Sequence, residues 1–420
     1  MSKKLLIKNI GELATPLGNK PKKGTEMSEI KYLKNAWILV EDDTIKEVGE
    51  GEFPSSYVDE DTEVLDAGGK LVTPGFVDSH THLVHYGSRE NELALKLKGV
   101  PYLEILKMGG GILNTVRKTR TASFEELKNQ SLKSLEIMLQ HGTTTVESKS
   151  GYGLDVENEI KQLEVMKVLN EIQPVDVVPT FMGAHAVPEE YKKDKRGYID
   201  LIINKMLPIV REKNLAEFCD VFCEEGVFSV EESREILSRA KEYGFDVKIH
   251  ADEIYSIGGA ELAAELSAIS AEHLLAASDE GLKKMVEKEV IAVLLPGTSF
   301  NLATGKHARA RDMINMGLAV ALATDYNPGS CPTESMQLMM SLGCINLRMT
   351  PEEVLTAVTL NGACALNRGD LIGTIERGKK ADIVIFDAPN LYYIMYHFGI
   401  NHVDKVIKNG KVVVNRNNWG

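Results

Sequence analysis

The 420-residue sequence predicts an α/β fold: a (β/α)8 TIM barrel with a small β-sandwich domain formed by both chain termini. Short apolar, β-rich segments alternate with amphipathic helical segments between about residues 70 and 330, and eight such units fit that length. Both flanks carry only short β-like segments separated by polar turns. We therefore assign residues 71–374 to the barrel and residues 1–70 with 375–420 to the composite sandwich.

The alternation of strands and helices favours parallel strands joined by crossover helices. An open, doubly wound sheet is the alternative, but no GxGxxG motif follows the first strand. The eight predicted barrel strands are 71–77, 142–147, 175–182, 218–223, 246–250, 268–273, 290–295 and 319–324. The clearest helical segments are 124–140, 157–170, 198–213, 229–243 and 279–287.

The flanking segments predict the second domain. Neither flank alone offers enough strands for an independent core, so we expect the two to come together. The pair Asn409-Gly410 is typical of a type I′ hairpin, and the polar segment 20–28 is predicted to be a surface loop. The predicted strands of this domain are 5–10, 36–40, 44–48, 381–386, 405–408 and 411–414.

Composition restricts the classes of partner. A net charge of −13 and a pI of about 5.4 argue against nucleic acid and anionic membranes, which need a basic face. Five widely spaced cysteines argue against a disulfide framework. Lys8 interrupts the apolar start of the chain too early for a signal peptide, and the longest apolar runs are too short to span a membrane. We therefore expect a cytoplasmic protein that binds a small molecule.

The strongest chemical motif is His80-Thr81-His82, directly after the first predicted strand. Residues i and i+2 of an extended strand point to the same side, so the two imidazoles can bind one metal ion. His250 ends the fifth strand and Asp325 follows the eighth, where active sites of barrels lie. Three imidazoles and one carboxylate suit one divalent ion, Zn²⁺ or Fe²⁺.

Two further side chains are candidates for proton transfer. Glu253 lies three residues after His250 and is suited to act as a proton shuttle, although it could also be a carboxylate that stabilises a helix N-terminus. His273 ends the sixth strand, where it can hydrogen-bond a water or a developing oxyanion. The alternative for Asp325 is a turn residue. The sequence leaves the base and the acid unassigned among Asp325, Glu253 and His273.

Residues 74–82 resemble the opening motif of the amidohydrolase superfamily, and residues 373–384 resemble its C-terminal segment. The resemblance spans nearly the whole chain and implies a metal-bearing barrel with a small β-sandwich made from both termini. Dinuclear members carry a carboxylated lysine after the fourth strand, where residues 221–225 contain none, and Lys149 after the second strand does not replace it. The chain therefore resembles the mononuclear branch, with its His-x-x-Glu after the fifth strand and a second His after the sixth.

Five further segments resemble one group of hydrolases within that branch. The resemblance implies hydrolysis of the cyclic amide of 4-imidazolone-5-propanoate to N-formimidoyl-L-glutamate, a step of histidine degradation. It also favours a homodimer. The segments are 87–90, 147–153, 181–185, 250–253 and 323–330.

The residues of these segments suit a small, planar, anionic substrate. Arg89, which would otherwise be taken for a surface charge, offers a forked guanidinium for the propionate. Tyr152, between two glycines, can bond the same carboxylate or cover the ring, and His185 can donate to the carbonyl oxygen. Backbone N–H groups at a helix entry suit an anion. The predicted substrate-binding residues are Arg89, Tyr152, His185, Glu253, Asn327, Gly329 and Ser330.

Two other functions stay open. A mononuclear deaminase of a heterocyclic substrate would use the same metal, glutamate and histidine, but a neutral nucleobase needs no anion clamp of the kind that Arg89 and Tyr152 predict. A catalytically inactive barrel that serves as a scaffold would be expected to lack a metal ligand, and all four candidates are present.

Overall fold

Two eight-stranded sheets form the framework of the described chain. The computed structural model describes residues 3–100, 104, 108–303 and 305–416. In chain order the strands are β1 (Lys4–Pro16), β2 (Ile30–Glu41), β3 (Thr44–Glu50), β4 (Thr62–Asp66), β5 (Leu71–Pro74), β6 (Phe76–Asp78), β7 (Thr143–Lys149), β8 (Asp176–Ala184), β9 (Phe218–Cys223), β10 (Asp246–Ala251), β11 (Ser270–His273), β12 (Ile291–Leu294), β13 (Val320–Leu322), β14 (Ile383–Phe386), β15 (Val403–Lys408) and β16 (Lys411–Asn415).

The helices begin where the sequence provides caps. Ser123 with Glu126 and Ser229 with Glu232 form capping boxes, each satisfying backbone N–H groups at a helix start. Within the described residues, no helix has both the length and the hydropathy needed to cross a bilayer. In chain order the described helices are α1 (Leu93–Leu97), α2 (Ile112–Thr121), α3 (Phe124–Gln140), α4 (Val156–Ile172), α5 (Lys195–Leu201), α6 (Leu207–Glu212), α7 (Val230–Glu242), α8 (Gly259–Glu265), α9 (Asp279–Glu287), α10 (Pro296–Asn301), α11 (Ala310–Met316), α12 (Met336–Ile345), α13 (Pro351–Val358), α14 (Leu360–Cys364) and α15 (Leu391–Tyr396).

Strands β6 to β13 form the predicted barrel, each strand parallel to the next. Side-chain and backbone hydrogen bonds join its last strand to its first. The carboxylate of Asp78 accepts from the backbone N–H of Thr324 at 3.0 Å and from its hydroxyl at 2.6 Å. The N–H of Asp325 donates to the carbonyl of His80 at 3.0 Å. Closure therefore brings the two ends of the barrel sequence side by side, and the predicted barrel is confirmed.

The other sheet combines strands from both ends of the chain, as predicted, in the order β16-β15-β14-β5-β1-β2-β3, with β4 paired to β1. Its apolar side chains, among them Ile7, Ile38 and Ile383, form a buried cluster of their own. The predicted hairpin is present: β15 and β16 are antiparallel, and Asn409 and Gly410 have φ of 49° and 74°, as a type I′ turn requires.

The first predicted barrel strand, 71–77, is wrong as a single element. Leu71–Pro74 pairs with β1 and β14 in the sandwich sheet, whereas Phe76–Asp78 pairs with β7 in the barrel. Gly75 separates them, and a Cβ at this position would overlap the side chain of Thr144. One continuous apolar run therefore serves two sheets, which hydrophobic patterning alone does not show.

Two further local predictions are corrected. The helix predicted over 198–213 contains a π-helical turn, Ile202–Met206, which ends two residues before Pro208. Proline has no N–H to continue α-helical bonding, so the bonding pattern changes there. The segment 20–28, predicted as a loop, ends in a 3₁₀ helix, Gly24–Ser28, whose Met27 is fully buried.

Candidate functional site

The carboxyl ends of the barrel strands bring the four predicted metal ligands together. The ring centroid of His80 lies 5.5 Å from that of His82 and 4.6 Å from that of His250. Oδ1 of Asp325 is 3.4 Å from Nε2 of His80 and 3.6 Å from Nε2 of His82. All four side chains are buried. The four ligand candidates therefore lie side by side at the mouth of the barrel.

The chemistry of this cluster fits a divalent cation. Nε2 of His80 and Nε2 of His250 are buried and have no hydrogen-bond partner among the described residues. A buried lone pair without a partner is costly, and a cation at the centre would satisfy both atoms. Potential ligand atoms lie within 4.8 Å of one another in the set His80, His82 and Asp325, and again in the set His80, His250 and His273.

Two carboxylates below the cluster orient its imidazoles, and the sequence interpretation missed both. Oδ2 of Asp220 accepts from Nδ1 of His250 at 2.9 Å, and Oε2 of Glu272 lies 2.5 Å from Nδ1 of His80. A proton held at Nδ1 leaves the lone pair of Nε2 directed toward the centre. The available signal was a carboxylate inside an otherwise apolar strand.

Asp325 is held as a carboxylate. Burial alone would raise its pKa, but the adjacent imidazoles of His80 and His273 and the hydroxyl of Thr298 lower the pKa of Asp325 to about 2. Oγ1 of Thr298 donates to Oδ2 at 2.6 Å, which leaves Oδ1 facing the imidazoles. Asp325 is therefore an ionised ligand candidate and a weak base.

Glu253 and His273 form a contact at the rim of the cluster, where Nδ1 of His273 is 3.6 Å from Oε1 of Glu253. Burial and the charges of Asp325 and Glu224 raise the pKa of Glu253 to about 8. Burial lowers the pKa of His273 to about 3, so this imidazole is neutral. Helix α8 begins only at Gly259, so Glu253 does not stabilise a helix start. A carboxyl group with a raised pKa beside a neutral imidazole is typical of acid–base sites.

Arg89 is buried rather than a surface charge, with 9% of its surface exposed. Its nearest carboxylate among the described ion pairs is Glu92, whose Oε2 is 3.7 Å from Nε, and Nε has no hydrogen-bond partner there. A guanidinium keeps its charge when it is buried, so an incompletely paired one is suited to an anionic ligand.

The rings of Tyr152 and His185 pack against the ring of His82. The ring of His185 stacks on that of His82 with centroids 4.7 Å apart, and the ring of Tyr152 lies 5.3 Å from His185. Nδ1 of His185 donates to the carbonyl of Gly151 at 3.0 Å, and burial lowers the pKa of His185 to about 3. Its Nε2 is therefore a lone-pair acceptor, so the predicted donation to a carbonyl oxygen does not fit this neutral ring.

His85 is a further buried residue beside this group that the sequence interpretation missed. Its Nδ1 donates to the carbonyl of His82 at 2.8 Å, and its ring lies 6.2 Å from Tyr152 and 5.5 Å from Tyr326. His85 lies three residues after the HxH motif, and the sequence interpretation considered only the motif itself.

The predicted anion-binding loop is closed on itself. Oδ1 of Asn327 accepts from the N–H of Gly329 at 2.8 Å and from the N–H of Ser330 at 2.7 Å, and its Nδ2 donates to Oγ of Ser330. The backbone donors on which that prediction relied are thus used within the loop. Contacts of Asn327, Gly329 and Ser330 with a substrate stay a prediction.

Known proteins resemble the chain over nearly its whole length. Residues 71–413 match the amidohydrolase family. The chain is 64% identical to the imidazolonepropionase of Alkaliphilus oremlandii (strain OhILAs), covering 98% of both chains. It is 53% identical to that of Streptococcus gordonii (strain Challis), covering 99% of both. Among solved structures, E. coli guanine deaminase has a TM-score of 0.74 at 16% identity, over 98% of this chain and 99% of the other, which shows a shared fold.

Proposed function

The chain belongs to the amidohydrolase family, and we propose that it catalyses the reaction of imidazolonepropionase. In this reaction water opens the cyclic amide of 4-imidazolone-5-propanoate and gives N-formimidoyl-L-glutamate, a step of histidine degradation. The observation that carries the proposal is the 64% identity to an imidazolonepropionase over 98% of both chains. Arg89, which is buried in the loop that follows His80 and His82, is consistent with an anionic substrate.

We infer that His80, His82, His250 and Asp325 hold one divalent ion, zinc or iron. When bound, such an ion supplies a Lewis acid that polarises a carbonyl and makes water acidic enough to react near neutral pH. Elemental analysis of the purified protein would identify the metal and its stoichiometry.

The carboxylates below the cluster are also consistent with a single ion. Asp220, His250 and Glu272 have the spacing of a further metal site, but the ammonium of Lys149 lies 2.8 Å from Asp220 and 2.9 Å from Glu272. An internal cation thus lies where a second ion would bind.

The substrate side of the site consists of Arg89, Tyr152 and His185. The guanidinium of Arg89 binds the propionate through two parallel N–H bonds. Tyr152 covers the ring or bonds the same carboxylate. His185, whose Nε2 is an acceptor, takes a hydrogen bond from a ring N–H of the substrate.

Proton transfer falls to Glu253, since the low pKa of Asp325 makes that carboxylate a weak base. In its ionised form Glu253 takes a proton from the attacking water as the new C–O bond forms at the ring carbonyl. His273 hydrogen-bonds the developing oxyanion. Glu253 then returns the proton to the ring nitrogen as the C–N bond breaks, so the reaction consumes one water and releases one open-chain product.

The test is incubation of the metal-loaded protein with 4-imidazolone-5-propanoate. We expect loss of its ultraviolet absorbance and a product whose mass is greater by one water. A panel of neutral heterocycles, guanine and cytosine among them, is assayed for ammonia release in parallel. Ammonia release without ring opening of the imidazolone would support the deaminase alternative, and the absence of both activities in metal-replete protein would support an inactive scaffold.

We also propose a cytoplasmic homodimer that binds neither membranes nor nucleic acid. The net charge of −13 argues against binding to nucleic acid or to an anionic membrane surface. For the dimer, the support is a group of exposed apolar side chains lining one groove, Ile345, Tyr392, Tyr396 and Phe398. Analytical ultracentrifugation of the protein gives its oligomeric state.

A further inference from the structure

The barrel interior directly beneath the metal-ligand cluster is charged. Five ionisable side chains lie there with no exposed surface: Glu147 and Lys149 on β7, Asp220 on β9, Lys248 on β10 and Glu272 on β11. Branched apolar residues usually fill this part of a barrel. Buried charges are costly unless they are paired and hydrogen-bonded, so the arrangement needs an explanation in terms of its contacts.

Lys149 lies at the centre of this layer. Its Nζ is 2.7 Å from Oε1 of Glu147, 2.8 Å from Oδ2 of Asp220 and 2.9 Å from Oε2 of Glu272. A lysine ammonium has three N–H donors, so the three carboxylates together match its full donor capacity.

Two of these oxygens are the atoms that contact the imidazoles. Oδ2 of Asp220 accepts from Nδ1 of His250 at 2.9 Å, and Oε2 of Glu272 lies 2.5 Å from Nδ1 of His80. Each oxygen is therefore shared between the ammonium of Lys149 and one ring. Movement of the ammonium would change the position of both rings.

We propose that Lys149 is a positioning residue of the metal site. It holds the carboxylates of Asp220 and Glu272 at the depth at which they keep the Nε2 atoms of His80 and His250 directed at a common point. This inference rests on the metal site proposed above and assigns to Lys149 a role in the affinity of that site for its ion.

Lys248 offers a matched control within the same layer. It is equally buried, but its Nζ is 3.4 Å from Oε1 of Glu147 and 3.5 Å from Oε1 of Glu272, and it lies over the ring of Phe218 at 5.0 Å. It balances charge without contacting either oxygen that holds an imidazole. Loss of Lys248 removes the same charge from the same interior but leaves those oxygens with Lys149.

The experiment measures zinc affinity of the metal-free protein by competition with a chromophoric chelator, for wild type, Lys149→Met and Lys248→Met. Unfolding temperatures of the metal-free variants show how much each substitution destabilises the fold. We expect Lys149→Met to weaken zinc binding about 10- to 100-fold, the usual effect of losing support to a metal ligand, and Lys248→Met to change it less than about 3-fold. Equal effects of both substitutions, or unchanged binding in Lys149→Met, would overturn the proposal.

Glu272→Gln provides a second test if Lys149→Met does not fold, because it keeps Lys149 paired with Glu147 and Asp220. We expect zinc binding about 10-fold weaker in this variant, and wild-type affinity would count against the proposal. Failure of the metal site itself has a different signature, since the wild-type protein would then not bind zinc stoichiometrically.

Discussion

The guanidinium of Arg89 lies in the space that a side chain at residue 329 would occupy. A Cβ built on Gly329 would overlap Nη2 of Arg89. The backbone of Gly329 is not among the positive-φ glycines, so glycine is needed here for the close approach of Arg89 rather than for its conformation. The two residues belong to the loops after the first and last barrel strands, which closure of the barrel makes neighbours.

Gly329→Ala should displace Arg89 and raise KM for 4-imidazolone-5-propanoate about 10- to 100-fold, the loss of a charge-assisted hydrogen bond. Metal content should not change. In an Arg89→Ala background, Gly329→Ala should raise KM little further, because no guanidinium remains for the new Cβ to displace. Steady-state kinetics of the single and double variants test this, and fully additive effects would show that Gly329 acts independently of Arg89.

Arg89→Ala should raise KM by a similar factor with a smaller effect on kcat, because the propionate takes no part in the bonds that form and break. Arg89→Lys should recover only part of the affinity, since an ammonium cannot make the paired bonds of a guanidinium. Arg117→Ala is the control: Arg117 is about half exposed and pairs with Glu189. Unaltered kinetics in Arg89→Ala would remove Arg89 from the site.

Glu253→Gln should bind metal as the wild type does and lose a factor of about 10² to 10⁴ in kcat, because the amide cannot transfer the proton. Glu225→Gln, which changes an exposed glutamate near the same barrel mouth, should leave kcat near the wild-type value. Near-normal turnover in Glu253→Gln would mean that another group carries the proton.

His85 should make the metal-free protein less stable in acid. Burial lowers the pKa of His85 to about 4, whereas in the unfolded chain it titrates near about 6.5. Between these values the unfolded state binds a proton that the folded state does not, so stability falls as the pH falls. By pH 5 the contribution is about 2 kcal/mol. Urea unfolding between pH 7 and pH 5 should show a shallower loss in His85→Gln, and parallel curves would contradict the assignment.

Thr324→Val should lower the free energy of unfolding by about 1–3 kcal/mol, because it removes a hydroxyl that donates to the buried Asp78 where the barrel closes and accepts from the backbone N–H of Tyr326. Thr356→Val is the matched control, since Thr356 is also fully buried but its hydroxyl has no partner in the described chain. Denaturant unfolding of both variants measures the difference. Equal losses would mean that the two hydrogen bonds of the Thr324 hydroxyl contribute nothing beyond the packing of a threonine.

Much of the secondary structure could be predicted from local sequence patterns. Helices 124–140 and 279–287 and strand 218–223 were predicted with the bounds that the structure has, because caps and changes of periodicity lie within a few residues of each boundary. The split of segment 71–77 could not be predicted in this way. It depends on which distant strand pairs with each half, and an apolar run carries no such information.

The grouping of the four ligand candidates was also predictable, because strand ends meet at one face of a barrel. The carboxylates that contact the imidazoles from below could not be predicted. In the sequence, Asp220 and Glu272 each look like a polar interruption of a strand. Their role becomes visible only in the fold, where Lys149 from another strand lies between them. The sequence also did not show which ring nitrogen of His185 donates, since this depends on a contact of Nδ1 with the carbonyl of Gly151.

Strand β5, six residues ahead of His80, links the site to the order in which the chain is made. On the ribosome its edge toward β1 is covered early, but its other edge stays unpaired until Ile383–Phe386 has emerged. The segment that carries the ligand candidates His80 and His82 is therefore anchored on a sheet completed after the whole barrel has been synthesised. Nascent chains that stop short of this strand would expose an apolar edge, which makes them targets for chaperones and proteases rather than partly active enzymes.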